Sequence, residues 1–438
     1  AEAEARFEEA LNLDPDNQDL YYLIGRDLVA QGRGEEGRRY FERALSMNPE
    51  DARVHNDLAL ILGTEDPDAA VAHFETALRI APNFTLALNN WGNLLAELNR
   101  FDEAEEKYRL ALQVREEDEY AWYNLARLAE RRGNLEEAEQ GYLSAMKNSP
   151  ENSHIPNNLG LLYAGQGRLE EAQQMYERAL SIDAENPLPL NNLGLLAEKQ
   201  DRFDAAADYY IRALELKPAF LVALNNLVAL LARTGRNDEA RHWFEQALAA
   251  DPDNGDIHNS YGYYLYQQWR LEEARPQFLK ALEAIPEFPL ALNNLGNLEM
   301  DLGDLDSAES HYKQALEVHE KDLNGDFNLG RLYWEKGDRE AALRHFNAMV
   351  EKRPDNELLY KAADLLVGAA EADAAIHLYE TALQSMPGLT AARFRLAALL
   401  FTQKQDHETA LKHLEQVKLQ DPGFPGLTKL TDDIRAKL

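Results

Sequence analysis

The chain has 438 residues, more than one ordinary core would use, yet no linker-like stretch breaks it, and glycine and proline recur at near-even spacing. Its 45 basic and 77 acidic residues leave a formal net charge of -32, which repels a phosphate backbone and an anionic membrane surface and sets nucleic acid aside as a partner. There is no cysteine, so disulfides, thiolate metal sites and cysteine nucleophiles are excluded, and no apolar run reaches the roughly 18 residues of a membrane-spanning helix.

In chain order, residues 1–17 read as one amphipathic helix through Ala3, Phe7 and Ala10, stopped by Pro15. The opening AEAEARFEEALNLDP carries no leader pattern. The chain is therefore expected to begin inside a repeated unit with its native start missing, and to be soluble, in cytoplasm or periplasm. Two units follow, 18–51 and 52–84, the second one residue short at the turn from Gly63 to Asp68.

From 85 to 356 a single period of 34 residues runs through eight units. Gly92, Gly160, Gly194, Gly262, Gly296 and Gly330 share one slot, with Ala126 and Val228 in the two others. Twelve residues on stand Ala104, Ala138, Ala172, Ala206, Ala240, Ala274, Ala308 and Ala342. Four further come Tyr108, Tyr142, Tyr176, Tyr210, Phe244, Phe278, Tyr312 and Phe346. Another small slot follows, from Ala111 to Met349, and Pro150, Pro218, Pro252, Pro286 and Pro354 then stop the helix. This pattern predicts two amphipathic helices per period, A and B, crossing closely where residues are small, with an aromatic ring filling the space beside them. Gly133, Gly167, Gly235, Gly303 and Gly337 are placed at the turn between them. Beyond 356 come a unit of 33 residues ending at 389 and one of 35 at 390–424, and 425–438 reads as a capping helix through Leu427, Leu430, Ile434 and Leu438.

Small residues at three fixed slots, an aromatic at a fourth and a closing proline resemble the tetratricopeptide repeat over nearly the whole chain. The resemblance implies an all-α solenoid, a right-handed superhelix of about twelve repeats over 18–424, whose A helices line a concave groove.

Motifs for chemistry do not survive their context. Gly32, Gly34 and Gly37 spell a dinucleotide fingerprint but lie at a helix–helix turn with no preceding strand, and Gly160 and Gly165 have phosphate-loop spacing with Gln166 where lysine is required. No HExxH motif occurs, and His407 and His413 fall on different helix faces. The acidic runs at Glu136, Glu170, Asp238 and Glu272 open B helices, where negative charge complements the helix dipole. No catalytic residue, metal set or cofactor loop is assigned.

In the family, groove side chains come from A-helix positions 2, 5, 6, 9, 12 and 13. Position 6 here is Asn90, Asn124, Asn158, Asn192, Asn226, Ser260, Asn294 and Asn328, and position 5 adds Asn89, Asn157, Asn191, Asn225, Asn259 and Asn293. Asparagine costs roughly 0.5 kcal/mol against alanine inside a helix, so the columns need a cause. Either the amides bond neighbouring helices and fix the stacking, or they pair with the backbone of a bound chain. The position-6 column resembles the asparagine ladder in the repeat arm of O-linked N-acetylglucosamine transferase, without a transferase domain. Arg127, Arg131, Lys199 and Arg233 make the middle of the groove basic, and Tyr263, Tyr266, Met300 and Trp334 are candidate anchors. The clamp by which co-chaperone repeats grip a terminal carboxylate needs cations where Leu86, Asn89, Asn90, Tyr120, Tyr123 and Asn124 stand. Lys361 and Arg395 do occupy position 6 in the two irregular repeats near the far end. These features lead to the expectation of a non-enzymatic scaffold or adaptor that binds an extended polypeptide without a cofactor or membrane insertion. The alternatives are a spacer or assembly factor in a secretion or envelope complex, and the regulatory arm of an enzyme encoded elsewhere.

Overall fold

The structure is a computed structural model and describes residues 11, 13–320, 322–352, 357–367 and 371–438. The helix assigned through Ala3, Phe7 and Ala10, and the stop at Pro354, lie outside the described residues. Every regular element among the described residues is helical and the helices pair into hairpins, so the protein is an all-α solenoid. The chain divides into two compact units, Ala1–Lys217 and Pro218–Leu438.

In the first unit the A helices are Gln18–Ala30, Ala52–Leu62, Thr85–Glu97, Glu119–Arg131, His154–Gly165 and Pro187–Lys199. Their B partners are Gly34–Met47, Pro67–Ile80, Phe101–Val114, Leu135–Asn148, Leu169–Ile182 and Phe203–Leu216. Each A helix packs on its own B helix and each B helix on the next A helix. Thr85–Glu97 also lies directly against both Ala52–Leu62 and Glu119–Arg131. In the second unit the A helices are Leu221–Arg233, Gly255–Gln267, Pro289–Asp301, Leu323–Lys336, Glu357–Leu366 and Thr390–Leu399. Their partners are Asn237–Ala250, Leu271–Ala284, Leu305–Val318, Arg339–Lys352, Ala372–Ser385 and His407–Gln420. A short helix, Leu427–Arg435, buries Leu427 and Ile434 against His407–Gln420.

Where the shared A-helix slot holds glycine, it makes room for the ring of the B helix. A Cβ on Gly194 would sit 2.3 Å from Cε1 of Tyr210, and on Gly296 2.5 Å from Cε1 of Tyr312, closer than two carbons can pack. Both rings are wholly buried. Where the slot holds Ala126 instead, the B helix gives way: Gly141 lies opposite, and a Cβ there would stand 2.9 Å from that of Ala126.

The turns need a left-handed residue. Gly32, Gly133, Gly167, Gly235, Gly303 and Gly337 supply it at φ of 75 to 82°, and Asn99, Asp201 and Trp269 replace glycine at φ of 59, 57 and 56°. Asparagine and aspartate tolerate this region; a bulky residue such as tryptophan is strained there.

Helix starts are capped by side chains that accept orphan N–H groups: Asp51, Asp66, Asp118 and Asn186 in the first unit, Asn254, Asp304, Asp322 and Asp406 in the second. The acidic starts of the B helices have a second use beyond the helix dipole. Arg33, Arg100, Arg168, Arg236 and Arg270, each just before its helix, chelate the glutamate three residues on with two nitrogens.

Candidate functional site

The side chains of the A helices at positions 2, 5, 6, 9, 12 and 13 recur every three or four residues and so share one helix face. The asparagine columns on it are hydrogen-bonded to one another within each unit. The position-6 amide donates to the position-5 side chain of the preceding hairpin: Asn90 to Asn56 at 3.0 Å, Asn158 to the Tyr123 hydroxyl at 2.6 Å and Asn192 to Asn157 at 2.9 Å in the first unit. In the second unit Asn294 donates to Asn259 at 2.9 Å and Asn328 to Asn293 at 3.3 Å. Both columns therefore join consecutive A helices within each unit, and each of these five amides keeps a second N–H.

One rung differs. Asn124 is only 9% exposed and Asn89, its expected acceptor, 3%. Asn89 gives its N–H to the capping Asp118 at 3.2 Å, and its Oδ1 is buried with no partner. Asn226 is half-buried on Leu221–Arg233, the helix that also carries Arg233.

The position-13 cations sit over the ends of preceding helices. Arg131 donates to the Ala96 carbonyl at 2.9 Å and to Asn99 at 3.3 Å, and Lys199 reaches the Ala164 carbonyl at 3.5 Å. Each places positive charge at a helix C-terminus. Arg127 is exposed and lies over the Tyr123 ring at 5.8 Å.

The aromatic candidates part company. Tyr263 is exposed, while Tyr266 is half-buried and donates its hydroxyl to Asp301. Burial first, and that carboxylate second, push the Tyr266 pKa up, so it remains a donor at neutral pH. Trp334 is half-buried under Arg339, 4.7 Å above its ring. Met300 is corrected: it is 6% exposed in the core of its hairpin, with its sulfur against the Tyr312 hydroxyl and Arg331, so it lines no groove.

Exposed apolar side chains on the same face went unread in the sequence. At position 2 they are Leu86, Tyr120 and Leu188 in the first unit, and Val222 and Leu290 in the second; Leu60, Leu161 and Leu195 add position 9. Tyr120 is 58% and Leu86 50% exposed. The available signal was their recurrence in slots the helix period turns away from the core. Cavities open in the first unit, two of them lined as follows. One is lined by Val29, Phe41, Leu60 and Ile61 with Arg26 and Asp57. The other, about 140 Å³, is lined by Asn93, Glu97, Tyr108, Asn124, Arg127 and Arg131 with Ala96 and Leu128.

Among the described residues no group of three or more His, Asp or Glu side chains could hold a metal ion, and no helix is long and apolar enough to cross a membrane.

Residues 22–83, 89–153, 151–219, 226–289, 287–353 and 366–431 match sequence profiles described as tetratricopeptide repeat. A stretch of 97 residues, 22% of the chain, is 30% identical to the type IV pilus assembly protein PilF of Pseudomonas aeruginosa and covers 38% of that protein. The chain thus spans less than two fifths of the length of this curated relative. Among solved structures, Pseudomonas aeruginosa PilF aligns with a TM-score of 0.41 at 23% identity over 47% of this chain and 94% of that one. Yeast Tom70 aligns with a TM-score of 0.48 at 16% identity over 96% and 95%.

Proposed function

Since the chain belongs to the tetratricopeptide-repeat family, whose repeat arrays mediate protein–protein interactions, we propose that it is a non-enzymatic scaffold whose A-helix groove holds an extended polypeptide. The observation that carries this reading is the exposed apolar series Leu86, Tyr120, Leu161, Leu188 and Leu195 on the same face as the asparagine network. Water-exposed leucines recurring on one face mark a surface kept for a partner. The asparagines contribute in part. Asn90, Asn158, Asn192, Asn294 and Asn328 each spend one N–H on the preceding A helix, which holds the remaining N–H in place for the backbone of a bound chain. Tyr263, Tyr266 and Trp334 serve as anchors in the second unit.

A second reading, an assembly factor in a secretion or cell-envelope complex, is favoured by the similarity to a type IV pilus assembly protein. In that role partners would also use the B-helix surface. Photo-crosslinking separates the two. A photoreactive residue replacing Leu188 or Leu195 is expected to trap partner protein in extracts of the native source, and one replacing Gln174, exposed on Leu169–Ile182, is not. Adducts at Gln174 alone would overturn the groove in favour of the spacer.

A further inference from the structure

In the regular repeats the left-handed slot between A and B helices holds glycine, asparagine or aspartate, except at the turn from Gly255–Gln267 to Leu271–Ala284, where Trp269 fills it at φ 56°. The Cβ of an L-residue crowds the backbone in this region, and tryptophan has no short polar side chain to bond its own backbone and ease the strain. A strained residue standing where glycine serves in the sister turns points to a role outside the fold. The fold itself makes no use of the ring. Trp269 is 72% exposed, and among the described residues its side chain takes part in no hydrogen bond, ring stacking or cation contact. The other tryptophans, Trp91, Trp122, Trp243 and Trp334, are all partly buried.

The surroundings of the ring say what it fits. On the neighbouring turn Leu302 is 42% exposed, and Leu271 and Leu305, which open the two B helices, are half-buried, so this edge of the second unit carries an apolar strip at two adjacent turns. The flanking turns present Thr234 and Gly235 on one side and Gly337 and Asp338 on the other. The charge left over beside the strip is negative. Asp238, Glu239, Glu273 and Asp306 are each met by a cation, from Arg241, Arg236, Arg270 and Lys336 in turn. Glu272, three residues after Trp269, and Asp304, on the neighbouring turn, are exposed and form no ion pair. An exposed indole face flanked by unpaired carboxylates attracts a cation through the ring quadrupole and through charge together.

We infer that this edge docks a basic segment of a partner protein, with a lysine or arginine of that segment lying on the Trp269 indole and its charge facing Glu272 and Asp304. The bulk field works in the same direction, because a chain of net charge -32 draws basic partners from a distance. The contact lies at the turns between A and B helices and uses none of the groove residues, so it stands or falls apart from the groove reading.

The test uses Trp269→Gly, Trp269→Phe and Trp269→Leu in the full chain. These variants keep every charge, so general capture of basic peptides by the acidic surface is common to all of them. A random peptide library is selected on the wild-type chain and counter-selected on Trp269→Leu, which is as strained but has no π face. The survivors are expected to be rich in lysine and arginine. They should bind Trp269→Phe within about threefold of wild type and Trp269→Gly about tenfold or more weaker. The melting temperature of Trp269→Gly should meanwhile be unchanged or raised, because glycine relieves the strain. No survivors, survivors without basic residues, or equal binding by Trp269→Gly would overturn the proposal. A Trp269→Gly chain that melts lower and binds the peptides normally would assign the ring to the fold. Sedimentation with phosphatidylcholine vesicles that depends on Trp269, with no peptide selected, would overturn it in favour of a lipid surface.

Discussion

At the scale of single residues, Gly160 and Gly165 stand in one helix, His154–Gly165, and do opposite things. A Cβ on Gly160 would lie 2.6 Å from the Tyr176 ring, which is buried and cannot retreat, whereas a Cβ on Gly165 meets nothing within 4 Å and its backbone is helical. Gly160→Ala is therefore expected to destabilise the chain by about 1–3 kcal/mol through overpacking. Gly165→Ala should stabilise it by up to about 1 kcal/mol, because alanine loses less backbone freedom on folding. Urea denaturation followed by circular dichroism measures both. Equal effects from the two would show that the ring does not set the glycine slot.

At the scale of the hairpin, departures from 34 residues are absorbed inside elements. The short second repeat trims its A helix to the 11 residues Ala52–Leu62, and the 35-residue repeat ends its A helix in a π turn, Leu400–Lys404, followed by Gln405 at φ 54°. A π turn accommodates one extra residue without shifting the faces on either side. The hairpin Ala52–Ile80 also holds a histidine pair, His55 Nδ1 lying 2.8 Å from His73 Nδ1 and His55 Nε2 lying 3.0 Å from the Pro49 carbonyl. That carbonyl can only accept, so His55 gives it the Nε2 proton and accepts one from His73 at Nδ1. Burial first, and His55 second, hold the His73 pKa below its usual 6.5; Arg38 acts the same way and Glu42 opposes it. The folded hairpin thus prefers neutral His73. That stability is complete above the unfolded pKa and is lost as the pH falls from there through the lower folded value. Urea midpoints are expected to fall between about pH 7.5 and about pH 5.5, and to fall less in His73→Gln. An unchanged pH profile in the variant would remove the pair as the cause.

At the scale of the whole molecule, 77 acidic against 45 basic residues make self-repulsion a cost of folding. The arginine–glutamate pairs at the B-helix starts, such as Arg100–Glu103 and Arg236–Glu239, are exposed and offset little of it. Raising the salt from about 10 mM to about 0.3 M shortens the screening length from about 30 Å to below 10 Å, and should raise the melting temperature by roughly 2–5 °C. A lower melting temperature at high salt would mean that the local pairs outweigh the net charge.

The period, the two helices within it and the glycine-to-ring crossing were legible in the sequence by itself, because each depends on spacing along the chain: Gly194 and Tyr210 must meet wherever two helices of this length fold back. The left-handed turns at Gly133 and Gly303 were legible for the same reason, and Trp269 in that slot was not, since no propensity places tryptophan there. What only the tertiary structure decided is how one hairpin meets the next. The column at position 6 is visible as a pattern, but the bond from Asn192 to Asn157 spans 35 residues and depends on rotamers and on the offset between stacked helices. The same offset buries Met300, places Arg131 over the Ala96 carbonyl, and leaves Arg127 and Asn124 at an open pocket where Arg331 and Asn328 are closed on their neighbours. Arginine and asparagine at identical spacing took different partners because their neighbours differ, Ala96 against Met300 and Arg131 against Glu335, and because hydrogen bonding across a helix–helix interface is set by distance and direction in space.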